Sequence, residues 1–407
     1  MNNIPFKKAD ILLPKENFEK WAVIACDQFT SAVDYWNETK NIVGDAYSTY
    51  HITLPEIYLE EEGVDKRIEA INEKMVRYIN DEVFAEYKNS LIYIERVQPD
   101  GRVRQGVVGA VDLEAYDFKV GSQTPVRATE GTVIERIPPR VEIRKNAPLE
   151  LPHIMLLIDD IEKTVVEPLA DKKGEMKILY DFELMMGGGH ITGYLINEKD
   201  ADEVLKSIGR LTANEEKPLT IAVGDGNHSL ATAKVCYENI KKVDTENASE
   251  HPARYALAEL GNIHSSALDF EPIYRVLFSV NPENVVSELN NYFKTKVNGN
   301  KITYFYGEKE GSITVDIPSD KISVGAVQEF IDWYISKYPD AKVDYIHGVE
   351  DTKKLASKEN TIGFIYDGIS KETLFSSVKA TGALPRKTFS MGEGRDKRYY
   401  IECRKIK

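Results

Sequence analysis

The chain has 407 residues, 42% of them hydrophobic and 29% charged, with 26 glycines and 17 prolines. It is too long for one small core and too apolar to be disordered, so two or three globular domains are expected. With 52 Lys plus Arg against 66 Asp plus Glu, the net charge is -14. A surface this acidic repels a phosphate polyanion, which argues against a nucleic-acid-coating role.

The first residues, Met1 to Leu13, intersperse Lys7, Lys8 and Asp10 among apolar positions and lack the continuous apolar region of a secretory signal. From there Trp21 to Ala25 reads as a short strand ending at Cys26-Asp27-Gln28, and Asp27 is a strand-end carboxylate beside aromatics. Between Glu60 and Phe84, Val64, Ile68, Ile71, Met75 and Ile79 fall at the spacing of one helical face. Leu91 to Val97 and Arg102 to Leu113 flank the turn Gln98-Pro99-Asp100-Gly101 and are expected to pair as a hairpin. Strands follow at Leu151 to Asp159, Lys177 to Leu184, His190 to Asn197 and Leu219 to Val223. A helix at Asp200 to Leu211 has Asp200 as its expected N-cap and Glu203 three residues on. The second half predicts helices at Leu230 to Ile240, Glu283 to Tyr292 and Val324 to Lys337, and strands near Ile302, near Ile313 and at Thr361 to Tyr366.

Apolar runs such as Ile154 to Ile158 fall far short of the roughly 20 residues that span a bilayer. A cytoplasmic protein without a membrane partner is expected. Cys26, Cys236 and Cys403 are odd in number and widely spaced, which suits buried thiols rather than a disulfide framework or zinc site. Helices and strands mix without strict βαβ order or internal repeats, so the expected class is α+β or mixed α/β. The boundary is placed near Asn281-Pro282. A 1–280 α/β domain would carry the main site, and a 281–407 α/β module would contribute basic residues.

The strongest local signal is Leu219-Thr220-Ile221-Ala222-Val223-Gly224-Asp225-Gly226-Asn227-His228-Ser229, which runs into the helical Leu230-Ala231-Thr232-Ala233. A buried strand enters a glycine turn, and the turn opens a helix. That arrangement points backbone N–H groups and the positive end of the helix dipole at one spot, as phosphate-binding sites do. Gly224 and Gly226 permit close approach of an anion, Asp225 can carry magnesium or accept a proton, and His228 can donate to a phosphoryl oxygen. A tight turn with a solvent-facing histidine is the plain alternative. The triple glycine before His190, Gly187-Gly188-Gly189, suits either a hairpin needing positive φ or a ligand needing room, with the hairpin favoured.

Two stretches reverse the sign of the chain. Pro125 to Lys145 carries Arg127, Arg136, Arg140, Arg144 and Lys145 against Glu130, Glu135 and Glu142, and Leu384 to Lys407 is more cationic still. Either could be a solvated face, or cations gathered around a phosphorylated substrate. No His-x-x-x-His pair, nucleophile elbow, Walker-type phosphate loop or dinucleotide fingerprint is present.

The Gly-Asp-Gly-Asn-His-Ser box resembles the Ala-Asp-Gly-His-His-Arg box of the large bacterial family known as domain of unknown function 1015. Thr129-Glu130-Gly131-Thr132 is similar to that family's His-Glu-x-Thr, with Arg136 and Arg140 where it carries a downstream arginine. Pro272-Ile273-Tyr274-Arg275, His347-Gly348 and Leu384-Pro385-Arg386-Lys387-Thr388-Phe389 resemble its later motifs in order. The box also resembles that of the ParB/sulfiredoxin-like superfamily, which includes free-serine kinases and implies a core of that type. Ser229 stands where the family box has arginine and Asn227 where it has the first histidine, so a cation expected to grip phosphate is missing.

What the resemblance implies is phosphoryl transfer on a small hydroxy metabolite, serine or O-phosphoserine, by a kinase or a phosphatase. Asp225, His228 and Glu130 are then the expected catalytic residues. Gly224, Gly226, Asn227, Ser229, Arg136, Arg140, Arg275 and Lys387 would bind phosphate, and Asp225 would hold any magnesium ion. The partner is a small phosphorylated metabolite, with use of a nucleotide and the oligomeric state left open. The alternative class is a nucleotide-sensing binding protein without turnover. A metal-dependent hydrolase using His51, His153 or His190 has no support in the spacing.

Overall fold

Nearly unbroken apolar runs such as Ile92-Tyr93-Ile94 and Val107-Val108 belong to strands covered on both faces, because successive side chains point to opposite sides of a sheet. The computed structural model describes residues 4–59, 61–119, 121–132, 134, 137–293, 299–317 and 322–407. It divides the chain into two units, one formed by 1–128, 132–268 and 392–407, the other by 129–131 and 269–391. The architecture is mixed α/β.

The first unit is built on a ten-stranded sheet. Lys177–Glu183, His190–Leu195, Ile92–Val97, Val103–Asp112 and Tyr255–Asn262 pair antiparallel in that order. Met155–Ile158 joins parallel to Tyr255–Asn262 and antiparallel to Ile221–Asp225, and Val126–Ala128 and Tyr116–Asp117 complete the edge in parallel. Tyr93, Val107, Val111, Ala256 and Ala258 face one core, while Ile92, Ile94, Val108, Ala110 and Leu257 face the other. A further cluster lies where helix Val64–Asn80 buries Ile68, Ile71, Met75 and Tyr78 with Trp21, Ile52 and Leu54.

The hairpin around Gln98 to Gly101 forms as expected. The triple glycine also closes a hairpin between Lys177–Glu183 and His190–Leu195. Gly189 has φ 81°, and a Cβ there would lie 2.1 Å from Val97 O, so both conformation and space require glycine. Two expectations need correction. The helix placed at Asp200 begins at Glu198, because the Asn197 side chain accepts the Asp200 N–H and so caps the helix earlier. Trp21 ends a short helix, Phe18–Trp21, leaving only Val23–Ile24 as strand.

The second unit is a six-stranded antiparallel sheet. Its main path runs Lys309–Val315, Asn300–Tyr306, Thr361–Tyr366, Phe270–Phe278 and Lys342–His347, and Phe389–Met391 also pairs with Phe270–Phe278. Helices Pro282–Phe293 and Ser323–Lys337 bury Val285, Leu289, Val327, Phe330 and Ile331 against Ile302, Ile313, Ile362 and Phe364. Among the described residues, no helix of either unit is long and apolar enough to cross a membrane.

The last residues of the chain return into the first unit. Tyr399–Tyr400 pairs antiparallel with Val23–Ile24, and Leu12 exchanges backbone hydrogen bonds with Cys403. Arg398, buried, donates to Glu259 at 3.0 Å, to Glu402 at 2.6 Å and to Pro152 O at 2.6 Å. Glu259 also lies 3.1 Å from Arg104, and Arg404 reaches Glu150 at 2.9 Å. Taking one partner from such a pair strands a buried charge, at a cost of about 3–5 kcal/mol. Arg398→Met is therefore expected to lower the free energy of unfolding of the first unit by about that amount in urea titration. A loss under about 1 kcal/mol would show that Glu259 and Glu402 do not depend on this cation.

Candidate active site

Strand Ile221–Asp225 ends where helix Asn227–Val243 begins, and Gly226 between them takes φ 80°. A Cβ at Gly226 would also lie 3.0 Å from Ile154 Cα, so the turn needs glycine twice over. The helix start carries no side-chain cap. Its first-turn N–H groups have no intrahelical acceptors, and they sit at the positive end of a helix of 17 residues. Asn227, His228 and Ser229 make up that turn, half-buried, and the buried Asn227 Oδ1 has no hydrogen-bond partner.

Met155 is in register with Asp225, so the extended segment before it carries His153 to the same end of the sheet. The His153 ring meets three residues. Its Nε2 is 3.1 Å from Ser229 Oγ and 3.5 Å from Asp27 Oδ2, and its Nδ1 is 3.0 Å from the Tyr400 hydroxyl. Tyr400 in turn accepts the Cys26 N–H at 3.1 Å, and Gln28 donates to Asp27 Oδ1 at 3.0 Å. Asp225 accepts the Gly226 N–H on Oδ1 and meets Lys397 Nζ at 3.0 Å on Oδ2. Nearby, Arg140 pairs with Glu56, whose N–H bonds Cys26 O.

Charge balance follows from these distances. Burial alone would lower the His153 pKa, but the Asp27 carboxylate outweighs it, with Asp225 and Glu56 adding, and the imidazole titrates above its ordinary value. Asp27 is held well below the usual carboxylate range by His153 in spite of the burial that opposes it. Burial pushes the Cys26 thiol up to about 12, with Asp27 adding, so it stays protonated. His153 therefore stabilises the fold below its unfolded value of about 6.5, and that contribution is lost as pH rises through the raised folded value. Asp27 stabilises above about 3.9, a contribution lost as pH falls through its depressed folded value. The side chain of Asp27 keeps 28% exposure against 8% for His153, so the carboxylate is the member of the pair open to an incoming group.

Of the residues singled out from sequence, Gly224, Asp225, Gly226, Asn227, His228 and Ser229 share this turn. Arg140 lies beside it through Glu56 and Cys26, while Arg136 falls outside the described residues. Glu130, Arg275 and Lys387 belong to the second unit. There Glu130 accepts the backbone N–H groups of Lys387 and Thr388, each at 3.0 Å, while burial raises its pKa. Arg275 is wholly buried and donates to Ile273 O, Arg386 O, Lys387 O, Gln328 and Tyr366. Both hold the bend at Lys387, a non-glycine residue with φ 57°. Elsewhere in the first unit, His190 sits between Asp181 and Glu183 on the strand pair, and His51 bonds Gly44 O. Among the described residues, no group of three or more His, Cys, Asp or Glu is placed to hold a metal ion.

Lys397 and Tyr400 were not legible as site residues. Lys397 was one cation in a basic run, and 172 positions separate it from Asp225. Asp27 was visible as a strand-end carboxylate, but its pairing with His153 was not.

The sequence matches a family model described as Protein of unknown function (DUF1015) over residues 4–380. Comparison with curated proteins gives no match. Among solved structures, a free serine kinase in complex with AMP is similar, with TM-score 0.39, 12% identity, and coverage of 73% of this chain and 91% of that one. A conserved hypothetical protein from Pyrococcus furiosus gives TM-score 0.36 at 11% identity, covering 72% and 93%. SbnI with a C-terminal truncation, from Staphylococcus aureus, gives 0.37 at 10%, covering 70% and 82%.

Two measurements test the geometry of the site. Asp27→Asn is expected to move the His153 imidazole titration, followed by NMR, to lower pH, because burial then acts unopposed by its nearest anion. An unmoved titration would separate the two groups. Gly226→Ala is expected to destabilise the first unit by about 1–2 kcal/mol from the left-handed backbone alone, with the contact at Ile154 adding to it, as read by thermal unfolding.

Proposed function

The chain belongs to the DUF1015 family, whose model spans nearly all of it, and we propose that it is a phosphoryl-transfer enzyme acting on a small hydroxy metabolite, serine or O-phosphoserine. The observation that carries this reading is the arrival of Lys397 at the uncapped helix start, 3.0 Å from Asp225, beside the His153–Asp27 pair. Phosphoryl transfer asks chiefly for a positioned anion, neutralised charge and one proton acceptor. Lys397 supplies the cation that Ser229 cannot, in place of the arginine of the resembled box.

In this reading the phosphoryl group lies over the N–H groups of Asn227, His228 and Ser229, with Lys397 on its oxygens and Asp225 holding the ammonium in place. His153 takes the proton of the attacking hydroxyl, and Asp27 stabilises the imidazolium that forms. The unpartnered Asn227 Oδ1 offers an acceptor for a substrate ammonium or hydroxyl. A nucleotide is the donor in the kinase direction, and water is the acceptor in the phosphatase direction. Asp225 is the residue that would hold a magnesium ion, and its Oδ2 meets Lys397.

The purified protein should release phosphate from O-phosphoserine or phosphorylate serine from ATP. Asp27→Asn and His153→Gln should each lower kcat by about a hundredfold or more, as loss of a general base does. Lys397→Met should act largely through KM for the phosphorylated substrate. No turnover in either direction, or variants as active as the parent, would overturn the assignment.

A further inference from the structure

His153 Nε2 lies 3.1 Å from Ser229 Oγ and 3.5 Å from Asp27 Oδ2. This is the spacing of a nucleophile and its base. Ser229 lies in the first turn of helix Asn227–Val243, where the phosphoryl group is expected to sit, and is only partly covered. On the far side of the ring, the Tyr400 oxygen accepts the Cys26 N–H and lies 3.0 Å from Nδ1. When Nδ1 carries its proton toward Tyr400, the Nε2 lone pair faces Ser229. A proton arriving on Nε2 finds Asp27 as its acceptor.

We infer that Ser229 is the first phosphoryl acceptor and forms a covalent phosphoserine intermediate, with His153 as its base. The inference rests on the phosphoryl-transfer reading of this site. In the first half-reaction Ser229 Oγ bonds to phosphorus as the bond from phosphorus to the donor oxygen breaks. The Ser229 proton passes to His153 Nε2 and then to the departing oxygen, leaving a neutral alcohol, or a nucleoside diphosphate where ATP is the donor. In the second, water or the serine hydroxyl attacks the phosphoserine, His153 takes the attacker's proton, and Ser229 leaves as its hydroxyl by recovering it. The ring is used identically twice, and no redox partner is involved. The raised pKa of His153 supports this use, since Asp27 makes the ring a stronger base.

The test is rapid acid quench of the full chain with labelled O-phosphoserine and, separately, with γ-labelled ATP. Label should remain on the protein, survive acid, be released by alkali and map to the peptide containing Ser229. Ser229→Ala should abolish the label and lower turnover by more than about a thousandfold, as loss of a nucleophile does. The wild-type protein supplies a second readout independent of any variant: two displacements give overall retention of configuration at a chiral phosphoryl group, whereas one gives inversion. Turnover with inversion, or with Ser229→Ala close to the parent, overturns the intermediate and leaves the proposed function standing. Absence of both turnover and label overturns the two together.

Discussion

Arg398 holds the first unit and its site in one arrangement. Its guanidinium bridges Glu259 on the central sheet and Glu402 on the returning C-terminal segment, and it also takes the carbonyl of Pro152 immediately before His153. Its own carbonyl accepts the Ala25 N–H, two residues before Asp27. A buried arginine of this kind is tolerated only when its donors are satisfied, and each satisfying group here lies beside a part of the site. The residues on either side of the arginine then do the chemical placing. Lys397 meets Asp225, and Tyr400 meets His153 and Cys26.

Arg96 reinforces the same segment. It is almost wholly enclosed and donates to the carbonyls of Gly188, Arg395, Asp396 and Lys397. Burial, with Arg104 close by, pulls its pKa down to about 9. Backbone carbonyls, rather than carboxylates, carry its hydrogen bonds. Its role is to fix the path of the chain just before Lys397, which explains how a lysine with four rotatable bonds can occupy a defined position.

The cationic stretches are distributed differently from what their composition suggests. In the first unit, Arg144 and Arg404 converge on Glu150, Arg140 meets Glu56, and Arg398 meets Glu259 and Glu402. Internal carboxylates thus take up these four arginines. Lys397 is the cation of the C-terminal run that reaches the glycine turn.

Local order was readable in the residues. The alternation of Ile92 to Val97, the Pro and Gly of the following turn, the apolar face of Val64–Asn80 and the glycine turn at Gly226 all act over a few positions, through backbone sterics and side-chain period. Those forces also placed Asn227, His228 and Ser229 on a helix start. The meeting of Asp27, His153, Ser229 and Tyr400 was decided by tertiary structure. It depends on strand register, on a C-terminal strand pairing with Val23–Ile24, and on buried ion pairs whose partners lie up to 254 positions apart. Such contacts leave no periodicity in the sequence, because they arise from which faces the folded sheet brings together.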